Sequence, residues 1–101
     1  MVKITRAVAA KWLGEVAPEK VFWCHDGRVI KTMAELKTAL DEMSDETFLY
    51  HVGGGKNDFS NWVRDVIGDD KLAADLAATS DRYLAAGRVA SRITSLSKSG
   101  K

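Results

Sequence analysis

The chain has 101 residues, 46% of them hydrophobic, and a net charge of +1 at pH 7. This length fits one domain, and the composition excludes both a disordered chain and one so basic that nucleic acid would be its required partner. The single cysteine, Cys24, excludes an intrachain disulfide, so we expect a cytoplasmic protein. No stretch approaches the ~18 apolar residues of a membrane span, and we expect no membrane partner.

The first third of the chain predicts a helix followed by a hairpin. Thr5 can cap a helix that runs to about Leu13. Two apolar segments then flank Asp26-Gly27, and this dipeptide favours a type I′ turn, whose two central residues both have positive φ. We therefore expect one small β-hairpin near residues 20–31.

The remaining two thirds predict helices. Thr32 and Glu35 have capping-box spacing, and an apolar stripe follows them at Met33, Leu36, Leu40 and Met43. Further caps and ends are predicted at Ser44, at Asn57 or Asp58, at Gly68, at Asp69 or Asp70, and at Thr79 or Ser80. A final amphipathic helix runs to about Leu96, with Ala86, Val89, Ala90, Ile93 and Leu96 on its apolar face.

The predicted fold is mainly α, with about five short helices and one small β-hairpin. No repeat, linker or low-complexity segment divides the sequence. We therefore predict a single compact helical domain over residues 1–96, followed by a flexible basic tail over residues 97–101.

The stretch "HVGGGKNDFSNW", residues 51–62, invites comparison with a phosphate-binding loop. A Walker loop ending in Lys56 would need glycine at position 50 and a hydroxyl residue at 57, where this chain has Tyr50 and Asn57. Asp58 would also place a negative charge among the phosphate oxygens. We interpret the glycines as a flexible connection between helices that Asp58 caps, and we expect no cofactor.

Metal binding and nucleophilic catalysis find little support in the sequence. Cys24, His25 and His51 are competent ligands, but their spacing forms no C-x-x-C or H-x-x-x-H pair. Nucleophilic catalysis would need Cys24 or a serine beside a histidine that a third group orients, and the two histidines lie on different predicted elements. We assign no catalytic residue and no metal ligand.

Charge is unevenly distributed along the chain. Residues 21–81 carry a net charge of −6, whereas the last twenty residues carry +5 and no acid. The five basic side chains there can donate to phosphate oxygens, which makes them candidate nucleic-acid ligands: Arg82, Arg88, Arg92, Lys98 and Lys101. Alternatively, this helix packs on the acidic part of the chain, residues 21–81, and its arginines contact carboxylates there.

Two sequence motifs are similar to those of a known domain family. The first is F-x-Y-H-V at residues 48–52, and the second is N-D-F-x-x-W-x-x-D-V-x-G-D-x-x-L-A at residues 57–73. Within a pattern that extends from Phe22 to Leu76, they resemble a small helical domain family found mainly in archaea and some bacteria. The resemblance covers over half the chain and implies a compact helical module with no known activity. The three glycines and the basic tail depart from it.

Three residues within these motifs form a candidate polar junction: His51, Asn57 and Asp58. They predict either a hydrogen-bonded clasp, which we favour, or an exposed recognition patch. We expect a non-catalytic binding or assembly module whose partner is another protein or a second copy of the chain. The alternative is a nucleic-acid-associated protein that uses the basic C-terminal helix, and an enzyme is the third possibility.

Overall fold

The computed structural model describes residues 4–99 and is mainly α-helical, which confirms the predicted fold class. Within these residues there are six α-helices and two antiparallel two-stranded sheets: α1 Arg6–Leu13, β1 Phe22–Trp23, β2 Val29–Ile30, α2 Met33–Glu42, α3 Asp45–His51, β3 Val52–Gly53, β4 Lys56–Asn57, α4 Asp58–Trp62, α5 Asp70–Ala77 and α6 Arg82–Ser99. A 3₁₀ turn at Pro18–Lys20 precedes β1, and a π-helical segment at Val63–Ile67 continues α4.

The centre of the core is the contact between α2 and α6. Leu36 and Leu40 of α2 are completely buried, as are Val89 and Leu96 of α6. Each such aliphatic side chain contributes roughly 1.5–3 kcal/mol on burial. The predicted stripe of α2 is confirmed, because all four of its residues are buried: Met33, Leu36, Leu40 and Met43. Helices α1 and α5 also pack against α6, so α6 organises the domain.

The hairpin formed by β1 and β2 is present, but its predicted turn type is wrong. Phe22 pairs with Ile30 and Trp23 with Val29. Among the described residues only glycines have positive φ, so Asp26 cannot occupy a type I′ turn, and Gly27 alone has a left-handed φ of 97°. Strand alternation places Phe22 and Ile30 in the core and leaves Trp23 on the surface.

The three glycines form a second hairpin, so the predicted flexible connection is wrong. Val52 and Gly53 of β3 pair with Asn57 and Lys56 of β4. Gly54 and Gly55 between them have φ of 58° and 84°, the positive values that a type I′ turn requires at both central positions. The turn fixes the start of α4 directly beside the end of α3.

The ends of α4 and α6 refine the predicted caps. Asn57, not Asp58, is the N-cap of α4, since its Oδ1 accepts the Ser60 N–H at 3.0 Å. Asp81 caps α6 by accepting the Leu84 N–H at 3.0 Å, although Thr79 or Ser80 was predicted. Helix α6 continues through Ser99, so the predicted tail is helical over residues 97–99.

Candidate functional site

His51 lies at the centre of a polar junction between the two hairpins. Its side chain is buried, and its Nε2 accepts the backbone N–H of His25 at 3.0 Å. Since Nε2 accepts, the ring proton is on Nδ1, which lies 2.9 Å from Asp58 Oδ2. Both ring nitrogens are therefore used within the fold, and this pair has the geometry of the predicted clasp.

Asn57, the third residue of the predicted junction, joins a different pair of elements. Its Oδ1 caps α4, and its Nδ2 donates to the carbonyl of Leu76 near the end of α5 at 3.0 Å. The structure thus places His51 and Asp58 together, whereas Asn57 connects α4 to α5. Lys56 lies on the exposed side of Asp58, with its Nζ 3.3 Å from Oδ2.

Aromatic rings surround the His51 side chain. Phe22 and Phe59 lie 5.0 and 5.1 Å from the imidazole, measured between ring centroids. On the outer side, His25 stacks on Tyr50 at 3.8 Å with nearly parallel rings. The imidazole is thus held by ring contacts on several sides as well as by its two hydrogen bonds.

Arg82 and Arg88, two of the five candidate nucleic-acid ligands, make contacts within the protein. Arg82 Nε donates to Asp45 at 2.9 Å, and its Nη1 donates to the carbonyls of Leu40 and Asp41 at 2.8 and 3.1 Å. The bond to Asp45 raises the pKa of Arg82. Arg88 Nη1 donates to the carbonyl of Asp75 at 2.7 Å. These arginines therefore hold α6 against the ends of other helices.

Arg92 makes the most buried ion pair among the described residues. Its guanidinium donates twice to Asp69, at 2.7 and 2.9 Å, and the two side chains are only 10% and 0% exposed. Asp69 also caps α5 by accepting the Leu72 N–H. Of the two remaining candidates, Lys98 is exposed and Lys101 lies outside the described residues. All three arginines thus donate to groups of the protein, Arg82 and Arg92 to carboxylates and Arg88 to a backbone carbonyl.

The outer face of the first hairpin carries an exposed aromatic side chain. Trp23 is 72% exposed and lines a shallow apolar groove. We call this the hairpin groove, and its lining is Glu15, Val16, Pro18, Val21, Trp23, Val29 and Lys31. Trp23 is not among the residues predicted as functional, although its alternation with the core residue Phe22 indicates that one of the two side chains faces water.

A second, larger groove lies beside the glycine hairpin. It has a volume of about 610 Å³ and runs between the β3–β4 turn, α4 and the segment after α5. We call it the glycine groove, and its lining includes Gly53, Gly55, Lys56, Asn61, Arg64 and Ser80. Arg64 is not among the residues predicted as functional, because nothing in its local sequence pattern distinguishes it from any exposed helical arginine.

Cys24 is buried, and burial raises the pKa of its thiol, which disfavours the reactive thiolate. Over residues 4–99, no three His, Cys, Asp or Glu side chains come close enough to hold a metal ion. Over the same range, no helix combines the length and apolar character needed to cross a membrane.

Comparison with known proteins gave no relatives: no family model, no curated protein and no solved structure matches the chain.

Proposed function

We propose that this chain is a non-catalytic assembly module that associates with a second copy of itself through the hairpin groove. The exposure of Trp23 carries the proposal. With 72% of its surface exposed, the apolar ring of Trp23 is hydrated, which is energetically unfavourable. Tryptophan is also among the residues that most often dominate the binding energy of a protein interface. Four aliphatic neighbours extend its apolar surface: Val16, Pro18, Val21 and Val29.

The charges of the groove favour a second copy as the occupant. Glu15 and Lys31 are both exposed and line the same apolar groove. A two-fold symmetric interface brings the same patch of both subunits together, so a patch with one acid and one base can complement itself. A patch with a single sign of charge would instead repel its own copy.

The other two functions receive less support from the contacts. General base catalysis needs a base with an available nitrogen or oxygen, whereas the ring nitrogens of His51 are both hydrogen-bonded within the fold. A nucleic-acid interface needs free cations, whereas Arg82, Arg88 and Arg92 donate to groups of the protein. An assembly uses neither set of residues.

The test is the molar mass in solution, measured by sedimentation equilibrium over a wide range of protein concentration. We expect the mass to rise from that of an 11.1 kDa monomer towards twice that value. Trp23→Ser should remain monomeric at every concentration. Tyr83→Ser is the matched control, because Tyr83 is 70% exposed but lies at the start of α6, and this variant should associate like the unmodified chain.

Charge exchange sharpens the test. Glu15→Lys gives each groove two cations and should weaken association, while Glu15→Lys combined with Lys31→Glu restores one charge of each sign and should recover it. A chain that stays monomeric throughout, or a Trp23→Ser variant that associates normally, would contradict the proposal.

A further inference from the structure

The glycine groove differs from the rest of the surface in its charge. Lys56 and Arg64 line it, and among the described residues no Asp or Glu does so. Asp58, whose charge argued against phosphate in the sequence, is not part of the lining, and its Oδ2 faces His51 and Lys56. The groove therefore presents two cations to a ligand in an otherwise acidic part of the chain.

Both cations are paired, but only through contacts that water reaches. Arg64 donates to Asp65 at 2.9 and 3.2 Å, and the two side chains are 53% and 62% exposed. Lys56 pairs with Asp58 at 3.3 Å, again with both partners accessible to solvent. Exposed ion pairs of this kind contribute little to stability. An anionic ligand can therefore replace the aspartate as the partner of either cation at a small cost in free energy.

Neutral donors complete the lining of the groove. The side chains of Asn61 and Ser80 are exposed, and no hydrogen bond joins either to another described residue. Both can donate to an oxygen of a ligand. A Cβ placed on Gly54 or Gly55 would meet no atom within 4 Å, so the backbone of the turn is open to approach.

We propose that the glycine groove binds a phosphate group, either as free phosphate or as a small phosphomonoester. Two cations, an amide and a hydroxyl match an oxyanion that offers several acceptors, and the Arg64 guanidinium can bind two of its oxygens at once. The arrangement is not a Walker loop, since its donors are side chains of β4, α4, the π-helical segment and the segment after α5. The proposal is independent of self-association, because Trp23 and the other residues of the hairpin groove lie outside this lining.

The experiment is a titration of ¹⁵N-labelled full-length chain with inorganic phosphate, followed by backbone amide chemical shifts. Sodium chloride at matched ionic strength and malonate, a dicarboxylate, are run in parallel. We expect saturable shifts for residues 53–56, 61, 64 and 80 with phosphate, and only weak, non-saturating shifts with chloride and malonate. O-phosphoserine distinguishes the two ligand sources: tighter binding than phosphate assigns the groove to esters, and equal or weaker binding assigns it to the free ion.

Two variants locate the site. Arg64→Gln removes a charged donor and should lower phosphate affinity by roughly tenfold or more. Lys71→Gln is the matched control, because Lys71 is also exposed and ion-paired, with Asp75, but does not line the groove. Its affinity should be unchanged. Equal responses to phosphate and chloride, saturable binding of malonate as tight as that of phosphate, shifts centred on other residues, or an unaltered affinity in Arg64→Gln would overturn the proposal.

Discussion

Two arginine–aspartate pairs of this protein share their chemistry and differ in their surroundings. Arg92 and Asp69 are joined by two hydrogen bonds beneath α6, and Arg64 and Asp65 are joined by two on the surface of the π-helical segment. The first pair is 10% and 0% exposed, the second 53% and 62%. Water screens the exposed pair, whereas loss of one partner from the buried pair leaves a charge with no compensation.

A third pair lies between these extremes. His51 is buried, while its partner Asp58 is partly exposed at the edge of the second hairpin. The three pairs therefore form a series of increasing exposure. The buried pair stabilises the fold, whereas the donor of the exposed pair is accessible to a ligand. The loss of stability on removing one partner should therefore decrease from the buried pair to the exposed pair.

The largest effect is expected for Asp69→Asn. Asparagine can still cap α5, but it leaves the Arg92 guanidinium without a counter-charge in the core, so the free energy of unfolding should fall by about 3–5 kcal/mol. Urea unfolding followed by circular dichroism measures this change. Asp65→Asn, at the exposed pair, is the control and should unfold at the same urea concentration as the unmodified chain.

A double variant separates charge from packing. Arg92→Met combined with Asp69→Asn removes the uncompensated charge and should be more stable than Asp69→Asn alone. If the double variant is the less stable of the two, the guanidinium matters through its contacts with neighbours such as the Trp12 ring, 5.7 Å away, and the electrostatic explanation fails.

An intermediate effect is expected for Asp58→Ala. The buried Nδ1–H of His51 would lose its acceptor, at a cost of about 1–3 kcal/mol. The same urea measurement applies, and an NMR signal of the Nδ1 proton, which we expect for the unmodified chain, should disappear in the variant. Lys56→Gln removes only the exposed partner of Asp58 and should leave both readouts unchanged. A stable Asp58→Ala variant would show that water satisfies His51 equally well.

The smallest effect is expected at Asp26, in the first turn, and it depends on pH. Burial opposes ionisation there, but the Arg28 backbone N–H, the Cys24 thiol and the Arg28 charge lower the pKa of Asp26. A lowered folded-state pKa stabilises the protein above the unfolded pKa of about 3.9, and this stabilisation is lost as pH falls through the folded value.

Asp26→Asn should therefore be less stable than the unmodified chain at neutral pH and equally stable in acid. Urea midpoints measured at a series of pH values test this. A difference between the two chains that stays constant from neutral to acidic pH would assign the effect to local packing instead of charge.

The helices could be predicted because their signals are local. The buried stripe from Met33 to Met43 follows from spacing within one helix, and Gly68 has the left-handed φ expected of a residue that ends a helix. The first hairpin followed from its apolar segments. Its turn type did not follow from the sequence, because Asp-Gly is compatible with more than one type of turn. The two consecutive positive φ values of a type I′ turn occur instead at Gly54 and Gly55.

The site contacts depend on residues far apart in the chain. The bond between His51 and Asp58 spans seven residues and agrees with the favoured clasp, but the N–H that fixes the ring comes from His25, 26 residues away. Asp69 was predicted as a cap, while its role as partner of Arg92 depends on how α6 packs across α5. The opposite net charges of residues 21–81 and of the final helix indicated ion pairs between them, but did not identify which residues form each pair.

The packing of α6 against α2 constrains how the protein is made. Leu36 and Leu40 leave the ribosome about fifty residues before Val89 and Leu96 of α6, the helix that packs against α2. A nascent chain that lacks α6 exposes this apolar face, and closing so long a loop carries an entropic cost that local helix formation does not. The core can thus close only once α6 has emerged from the exit tunnel.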